Sequence, residues 1–481
     1  MPTATASRVT REPMSKVDTA WLRMDNDVNL MMIVGVWLLT PALPYEALCS
    51  RIEDKLLKYG RFRRCVMHGA AGAHWADDES FDIHRHVVRE RLERTRGQSE
   101  RSALQARVGE LASTPLDADR PLWQFHLVEG YQGGSALIAR VHHCIGDGIA
   151  LISVMMTITD GGIDPPSRRK RAIEAVGESA DWLADTVLKP LGGLSVKAAG
   201  IVEASVARTL ELLADPQRGL RGTLDSARLG AQVMKDVAAM ALMPDDSPTL
   251  LKGRPSGIKR VAWGEPLPLA DVKAVGKALG CSVNDVLLAL VAGSIGHWLR
   301  EQGDDPAGKE IRAMVPVNLR PLEHAWKLGN RFGLAPLVLP IGIENPVARV
   351  AAVRARMNEL KASYQPMLAF AVLTVAGQAP KPVQDMILGL FSKKSTAVMT
   401  NVPGPAEPLR FCGSTLRQTM FWVPASGDIG VGVSILSYGG GVQFGLITDE
   451  ALCHDPQAIV DGFEPEFEKL LLLTLMLPWA A

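Results

Sequence analysis

Apolar positions cluster at strand lengths in three places in the first third of the chain. Val28 to Leu39, Trp123 to Val128 and Ser135 to Val141 read as strands, and Tyr45 to Tyr59 reads as a helix. The third strand runs into Val141-His142-His143-Cys144-Ile145-Gly146-Asp147-Gly148, and Ile149 to Ile158 then reads as a second helix. That order predicts strand, tight glycine turn and helix, with paired histidines at the strand end. Successive strand residues face opposite sides. His143 falls with Leu137, Ala139 and Val141, and His142 with Ile138 and Arg140. One imidazole can therefore meet a reaction space while the other braces the strand.

Asp164-Pro165-Pro166-Ser167 breaks the pattern, and Arg168, Arg169, Lys170 and Arg171 follow as a basic run. Arg171 to Leu213 and Leu224 to Leu242 look helical, joined around Asp215-Pro216. Pro248 to Gly257 is a loop into a second strand-and-helix region. The layout predicts an α/β (α+β) chain with two halves, 1–165 and 256–481, joined by a helical crossover at 166–255.

A length of 481 residues allows two sizeable domains, and 47% hydrophobic with 22% charged residues is ordinary for a globular protein. Fifty-two basic residues balance 52 acidic ones, which gives no electrostatic footprint for a nucleic-acid partner. Cys49, Cys65, Cys144, Cys281, Cys412 and Cys453 lack paired spacing, so reduced thiols in a cytoplasmic compartment are expected. Met1 to Trp21 has no apolar signal core. No window has the length and purity of a spanning helix, and Val286 to Leu299 carries His297. A protein lying on a membrane stays compatible with that.

A neutral imidazole can take a proton from an alcohol or thiol and return it to a leaving group. Asp147 can hold that imidazole, cap the following helix, or pair with an arginine, for which Arg320, Arg140 and Arg331 are candidates. Gly146 and Gly148 are expected to supply torsions that bulkier residues resist. Adjacent strand histidines diverge, which disfavours a metal site. Cys144 points away from His143, which disfavours a thiol nucleophile. Direct transfer without a covalent intermediate is the simplest chemistry. Asn284 stands at or before a helix running to Leu299. Its amide, or the Ser282 hydroxyl, can donate to an oxyanion, or these residues and Asp285 can cap the helix.

His142-His143-x-x-x-Asp147-Gly148 resembles the active-site motif of the CoA-dependent acyltransferase superfamily. Further blocks resemble the bacterial wax ester synthase/diacylglycerol acyltransferases: Pro121-Leu122-Trp123, Ser282 to Val286 with Asn284-Asp285, Val315 to Arg320, Leu328-Gly329-Asn330, and Thr400 to Pro405. Met14 to Leu22 with Asp18, Ser437-Tyr438 and Phe444-Gly445-Leu446 are similar too, so the resemblance spans almost the whole chain.

The resemblance implies two chloramphenicol-acetyltransferase-like domains with a substrate channel between them, His143 near its middle, and donor and acceptor entering from opposite mouths. It implies transfer of a long-chain acyl group from acyl-CoA to a fatty alcohol or a diacylglycerol. Acyl-CoA is then a substrate, and no cofactor is expected. His143 is the expected general base, His142 supports it, Asp147 is structural, and Asn284 is the candidate oxyanion donor. Pro121, Leu122, Trp123, Gly148, Asp285, Thr400 and Asn401 are the expected substrate-binding residues.

The expected site of action is cytoplasmic, peripheral to the plasma membrane or on lipid inclusions. In the crossover, the apolar side chains from Trp182 to Leu194 pack on the protein itself or lie on a bilayer or droplet. The basic run at 168–171 faces solvent, anionic lipid or the CoA phosphates. Two alternatives stand beside this reading: a condensation-type domain using carrier-protein thioesters, and a non-catalytic lipid-binding protein. The plant-type Asp-Phe-Gly-Trp-Gly signature is poorly matched by Asp428-Ile429-Gly430-Val431-Gly432. Acceptor preference, chain length and oligomeric state are not fixed by the sequence.

Overall fold

The computed structural model describes residues 12–69, 72–162, 243–318, 328–361 and 392–476, with single positions 369, 381, 384 and 389. The crossover helices expected between Arg171 and Leu242, the basic run at 168–171 and Arg320 lie outside the described residues.

Among those residues the first large sheet has the order β13 (Arg410–Phe411), β14 (Ser414–Trp422), β2 (Met32–Thr40), β7 (Ser135–His142), β6 (Trp123–Glu129) and β5 (Val87–Arg91). Neighbours in it are antiparallel except β5 and β6, which run parallel. The alternation along β7 sorts its side chains into two cores. Leu137 and Val141 join Leu48 and Ile52 of α2 (Tyr45–Lys55) and Leu151 and Val154 of α5 (Gly148–Ile158). Ala136 and Ile138 join Leu104 and Val108 of α4 (Glu100–Ala112). Helix α2 is shorter than the sequence predicts, tightening after Lys55 into a 3-10 turn at Leu56–Lys58. A small sheet of β1 (Glu12–Pro13), β4 (Gly72–Asp77) and β3 (Arg64–Gly69) contributes Val66 and Trp75 to the first core, next to α1 (Lys16–Met24) and the one-turn α3 (Ile83–His86) in sequence.

The second sheet runs β11 (Phe332–Leu339), β10 (Ile311–Asn318), β12 (Ala397–Pro403), β15 (Val431–Tyr438), β16 (Gly441–Asp449) and β8 (Lys259–Trp263), with β9 (Leu267–Pro268) also on β16. Strand β12 lies parallel to both β10 and β15. One face is covered by α6 (Leu269–Ala278), α7 (Val283–Glu301), α8 (Pro346–Lys361), α9 (Pro456–Asp461) and α10 (Phe463–Leu475), around a core that includes Leu287, Val291, Val433, Phe444 and Phe463. Helix α7, the apolar stretch flagged in the sequence, is the central helix of that core. Its Gly293 leaves room for the guanidinium of Arg349, which is ion-paired to buried Glu466 of α10. No single helix among the described residues is long and apolar enough to cross a membrane.

The halves are not separate in sequence. Residues 256–481 were expected to form the second half alone, yet the β13–β14 hairpin belongs to the first sheet. Trp422 is registered opposite Val34, and Thr415 opposite Thr40. The hairpin closes the edge of β2, which would otherwise present unpaired backbone groups. Trp422 also meets Trp263 of β8, ring centroids 6.1 Å apart, so the two halves share a core at this point.

Candidate active site

The histidine turn is built by the ends of the first sheet. The His142 N–H donates to the Leu122 carbonyl at 2.9 Å, and the His143 N–H to the Met31 carbonyl at 2.7 Å. Strand β7 stops at His142, and the chain then turns. His142 is buried, and its Nδ1 accepts the Cys144 N–H at 3.1 Å, which places the ring proton on Nε2, 3.8 Å from Asp25 Oδ1. Burial, reinforced by the neighbouring His143, pushes its pKa down to about 3.

His143 turns the other way. Trp21 of α1 stacks on its ring with centroids 4.0 Å apart and planes 17° apart, and Phe332 of β11 lies at 5.5 Å. Burial pushes the His143 pKa down to about 4, with the Asn330 side chain and the residue's own backbone pulling the other way. Both imidazoles are neutral at pH 7. Cys144 is buried, and its burial raises the thiol pKa well above the ordinary value, so it is no thiolate nucleophile.

Of the three things its type allows, Asp147 shows the helix cap directly. It caps α5, its Oδ1 accepting the Ala150 N–H at 2.9 Å. Its Oδ2 accepts the Arg331 N–H at 3.0 Å, and its own N–H donates to the Gly329 carbonyl at 3.3 Å. Arg331 thus reaches Asp147 through its backbone. Arg140 is engaged elsewhere, with Gln124 and the Thr114 carbonyl. The glycine expectation needs correction: neither Gly146 nor Gly148 has a positive φ. Gly146 instead allows a close approach: a Cβ there would lie 3.3 Å from the Leu328 side chain, which would have to move aside by a few tenths of an ångström.

His143, Asp147 and Gly148 open onto a cavity between the two sheets. Its empty volume is about 1380 Å³, the open solvent at its mouth included. Trp21, Met314, Phe332, Val398 and Phe421 give it a largely apolar wall. Thr400 and Asn401 of β12 also line it. Asn284 does not line it, but its Oδ1 accepts from Asn401 Nδ2 at 2.6 Å. Asp285 forms a reciprocal cap with Ser282 at the start of α7, 2.9 and 3.1 Å, and is not on the wall.

Pro121, Leu122 and Trp123 are likewise buried away from the cavity. Trp123 stacks on His86 at 4.6 Å and donates from Nε1 to the Phe62 carbonyl at 2.8 Å. This segment secures the strand beside the histidines, and Leu122 extends the ladder to His142. The sequence reading gave no role to Trp21, Arg61, Phe332 or Asn330, and it quoted Asp18 only as part of a motif. Trp21, Phe332 and Asn330 are brought to His143, and Arg61 and Asp18 to the turn behind it, by tertiary contacts alone.

Residues 14–287 match the wax ester synthase/diacylglycerol acyltransferase catalytic domain, and residues 328–471 match the WS/DGAT C-terminal domain. The chain belongs to this acyltransferase family. The probable diacylglycerol O-acyltransferase tgs1 of Mycobacterium tuberculosis is 26% identical over 472 residues, covering 96% of each chain. Among solved structures, the wax ester synthase/diacylglycerol acyltransferase from Marinobacter aquaeolei VT8 has a TM-score of 0.65 at 21% identity, covering 97% of this chain and 100% of that one. The first condensation domain of the calcium-dependent antibiotic synthetase has a TM-score of 0.57 at 14% identity, covering 97% of each chain. Both structures share the fold. Family membership implies an acyl donor and a lipid acceptor for this two-halved α/β acyltransferase.

Proposed function

We propose that this chain transfers a long-chain acyl group from acyl-CoA to the hydroxyl of a fatty alcohol or a diacylglycerol, with His143 as general base. The observation that carries this reading is the imidazole of His143 on the wall of a mainly apolar cavity, where burial favours its neutral form. His143 removes the acceptor's proton as its oxygen attacks the thioester carbonyl. The tetrahedral oxyanion collapses, the C–S bond breaks, and His143 returns the proton to the CoA sulfur. No covalent enzyme intermediate is needed.

A pKa near 4 suits a base that must be neutral at rest but makes it a weak one. The oxyanion formed as the proton arrives offsets this, because the negative charge favours the imidazolium in the same low-dielectric space. Asn401, on the wall, has a second amide hydrogen beyond the one it donates to Asn284 and is the proposed donor to that oxyanion, with Asn284 orienting it. His142 braces the turn, and Asp147 holds it to the second half. The acceptors are lipids, so action at a membrane or droplet surface belongs to this proposal. Exposed Leu472, Leu475 and Met476 at the end of α10 offer apolar contact there.

Incubation of the purified protein with palmitoyl-CoA and either hexadecanol or a diacylglycerol tests this. Free thiol should appear together with wax ester or triacylglycerol. Thiol release without either ester would contradict the acceptor class, and no thiol release would contradict the donor.

A further inference from the structure

Behind His143 lies a group of buried polar side chains that the proposed reaction does not use. Asp18 of α1 is fully buried. Its Oδ1 accepts the backbone N–H of Asn330 at 3.1 Å and its Nδ2 at 2.8 Å, and its Oδ2 lies 3.0 Å from Arg61 Nη2. Arg61 Nη1 donates to the carbonyls of Cys144 and Ile145 at 3.1 and 2.9 Å, directly after the base. Asn330 Nδ2 also donates to the His143 carbonyl at 2.8 Å.

These bonds fix the amide's orientation. Nδ2 has two hydrogens, and both are engaged. A flipped amide would set its oxygen against a carboxylate and a carbonyl. Asn330 Oδ1 is therefore the atom left over, and it is buried without a hydrogen-bond partner among the described residues. So is Nδ1 of His143. One atom accepts only, and the other can donate. They belong to residues already joined through Nδ2 and the His143 carbonyl. The Asn330 side chain acts on the imidazole in the direction that favours its keeping a proton.

We propose that Asn330, oriented by the Asp18–Arg61 pair, is a positioning residue that holds the proton of His143 on Nδ1 and leaves the Nε2 lone pair for the substrate hydroxyl. The inference rests on the reading of His143 as the base. Gly329 has φ +116°, and a Cβ there would lie 3.5 Å from the Arg61 guanidinium. The chain therefore enters Asn330 through a conformation that favours glycine, set against the arginine. The segment 329–331 meets the turn three times: at the His143 carbonyl, at the Asp147 N–H and at the Asp147 carboxylate.

The test uses Asn330→Ala and the swap of Asp18→Asn with Asn330→Asp, in the full chain. Nitrogen chemical shifts of labelled histidine report the tautomer of His143, and pH profiles of kcat/KM report its titration. In the wild type His143 should be in the Nδ1–H form. Asn330→Ala should lose that preference and lower kcat about 10–100-fold with KM little changed. The swap puts a carboxylate beside Nδ1 and should raise the acid limb of the profile by about 1–3 units. An unchanged tautomer and an unmoved acid limb in folded variants would overturn the proposal while leaving His143 as the base. An active His143→Ala protein would remove the base itself, a separate failure.

Discussion

The indole of Trp21 lies flat on the imidazole of His143, 4.0 Å between centroids. Trp21 is buried and belongs to a small core with Val17, Met24, Met31 and Phe332, so α1 of the first half and β11 of the second both pack against the base, Trp21 covering one face. This cover keeps water off the ring and holds its pKa low. Replacing Trp21→Leu keeps an apolar plug but opens that face. The acid limb of kcat/KM should rise from about 4 towards the ordinary histidine value of about 6.5. The pH profile of the variant checks this.

Stability should follow the same two rings. Their folded pKa values, about 4 and about 3, lie below the unfolded value of about 6.5. Between these limits the unfolded chain binds more protons. The stabilisation is therefore fully present above about pH 6.5 and lost as pH falls through about 4 and then 3. Urea midpoints measured from pH 7 to pH 4 should decline, and His143→Gln should decline less steeply than the wild type.

Asp147 is expected to matter to the fold before it matters to the chemistry. Asp147→Ala removes a helix cap and the bond to the Arg331 N–H, a loss of about 1–3 kcal/mol. Asp147→Asn has one acceptor oxygen for those two N–H groups, so it keeps one of the bonds and should fall between the two. Thermal unfolding of the three proteins gives the order.

Trp123 reads from the sequence equally well as core or as channel wall, and it packs in the core. Trp123→Ala should cost about 3–5 kcal/mol of stability. The KM values of the protein that remains folded should be nearly unchanged. A large rise in KM for either substrate at intact stability would restore Trp123 to the cavity wall.

The local part of this architecture was legible in the sequence. Strand β7, the turn and α5 appear where the apolar pattern predicts them, because each is determined by neighbours within a few residues. The opposed orientation of His142 and His143 followed from strand geometry. The β13–β14 hairpin was not legible, since nothing in residues 410–422 says which edge they will pair with. Nor was Trp21, which reaches His143 across more than a hundred residues of sequence. Motif position also misled in part. Asp285 and Trp123 lie in family blocks, yet one caps a helix and the other fills a core, and residues can recur in motifs because they hold a site together.

The most direct test compares wild type with His143→Ala for thiol release from palmitoyl-CoA in the presence of hexadecanol or a diacylglycerol, with circular dichroism to confirm the fold. The base reading predicts a folded variant with transfer reduced to background for both acceptors. A folded variant that retains near-wild-type transfer would contradict it.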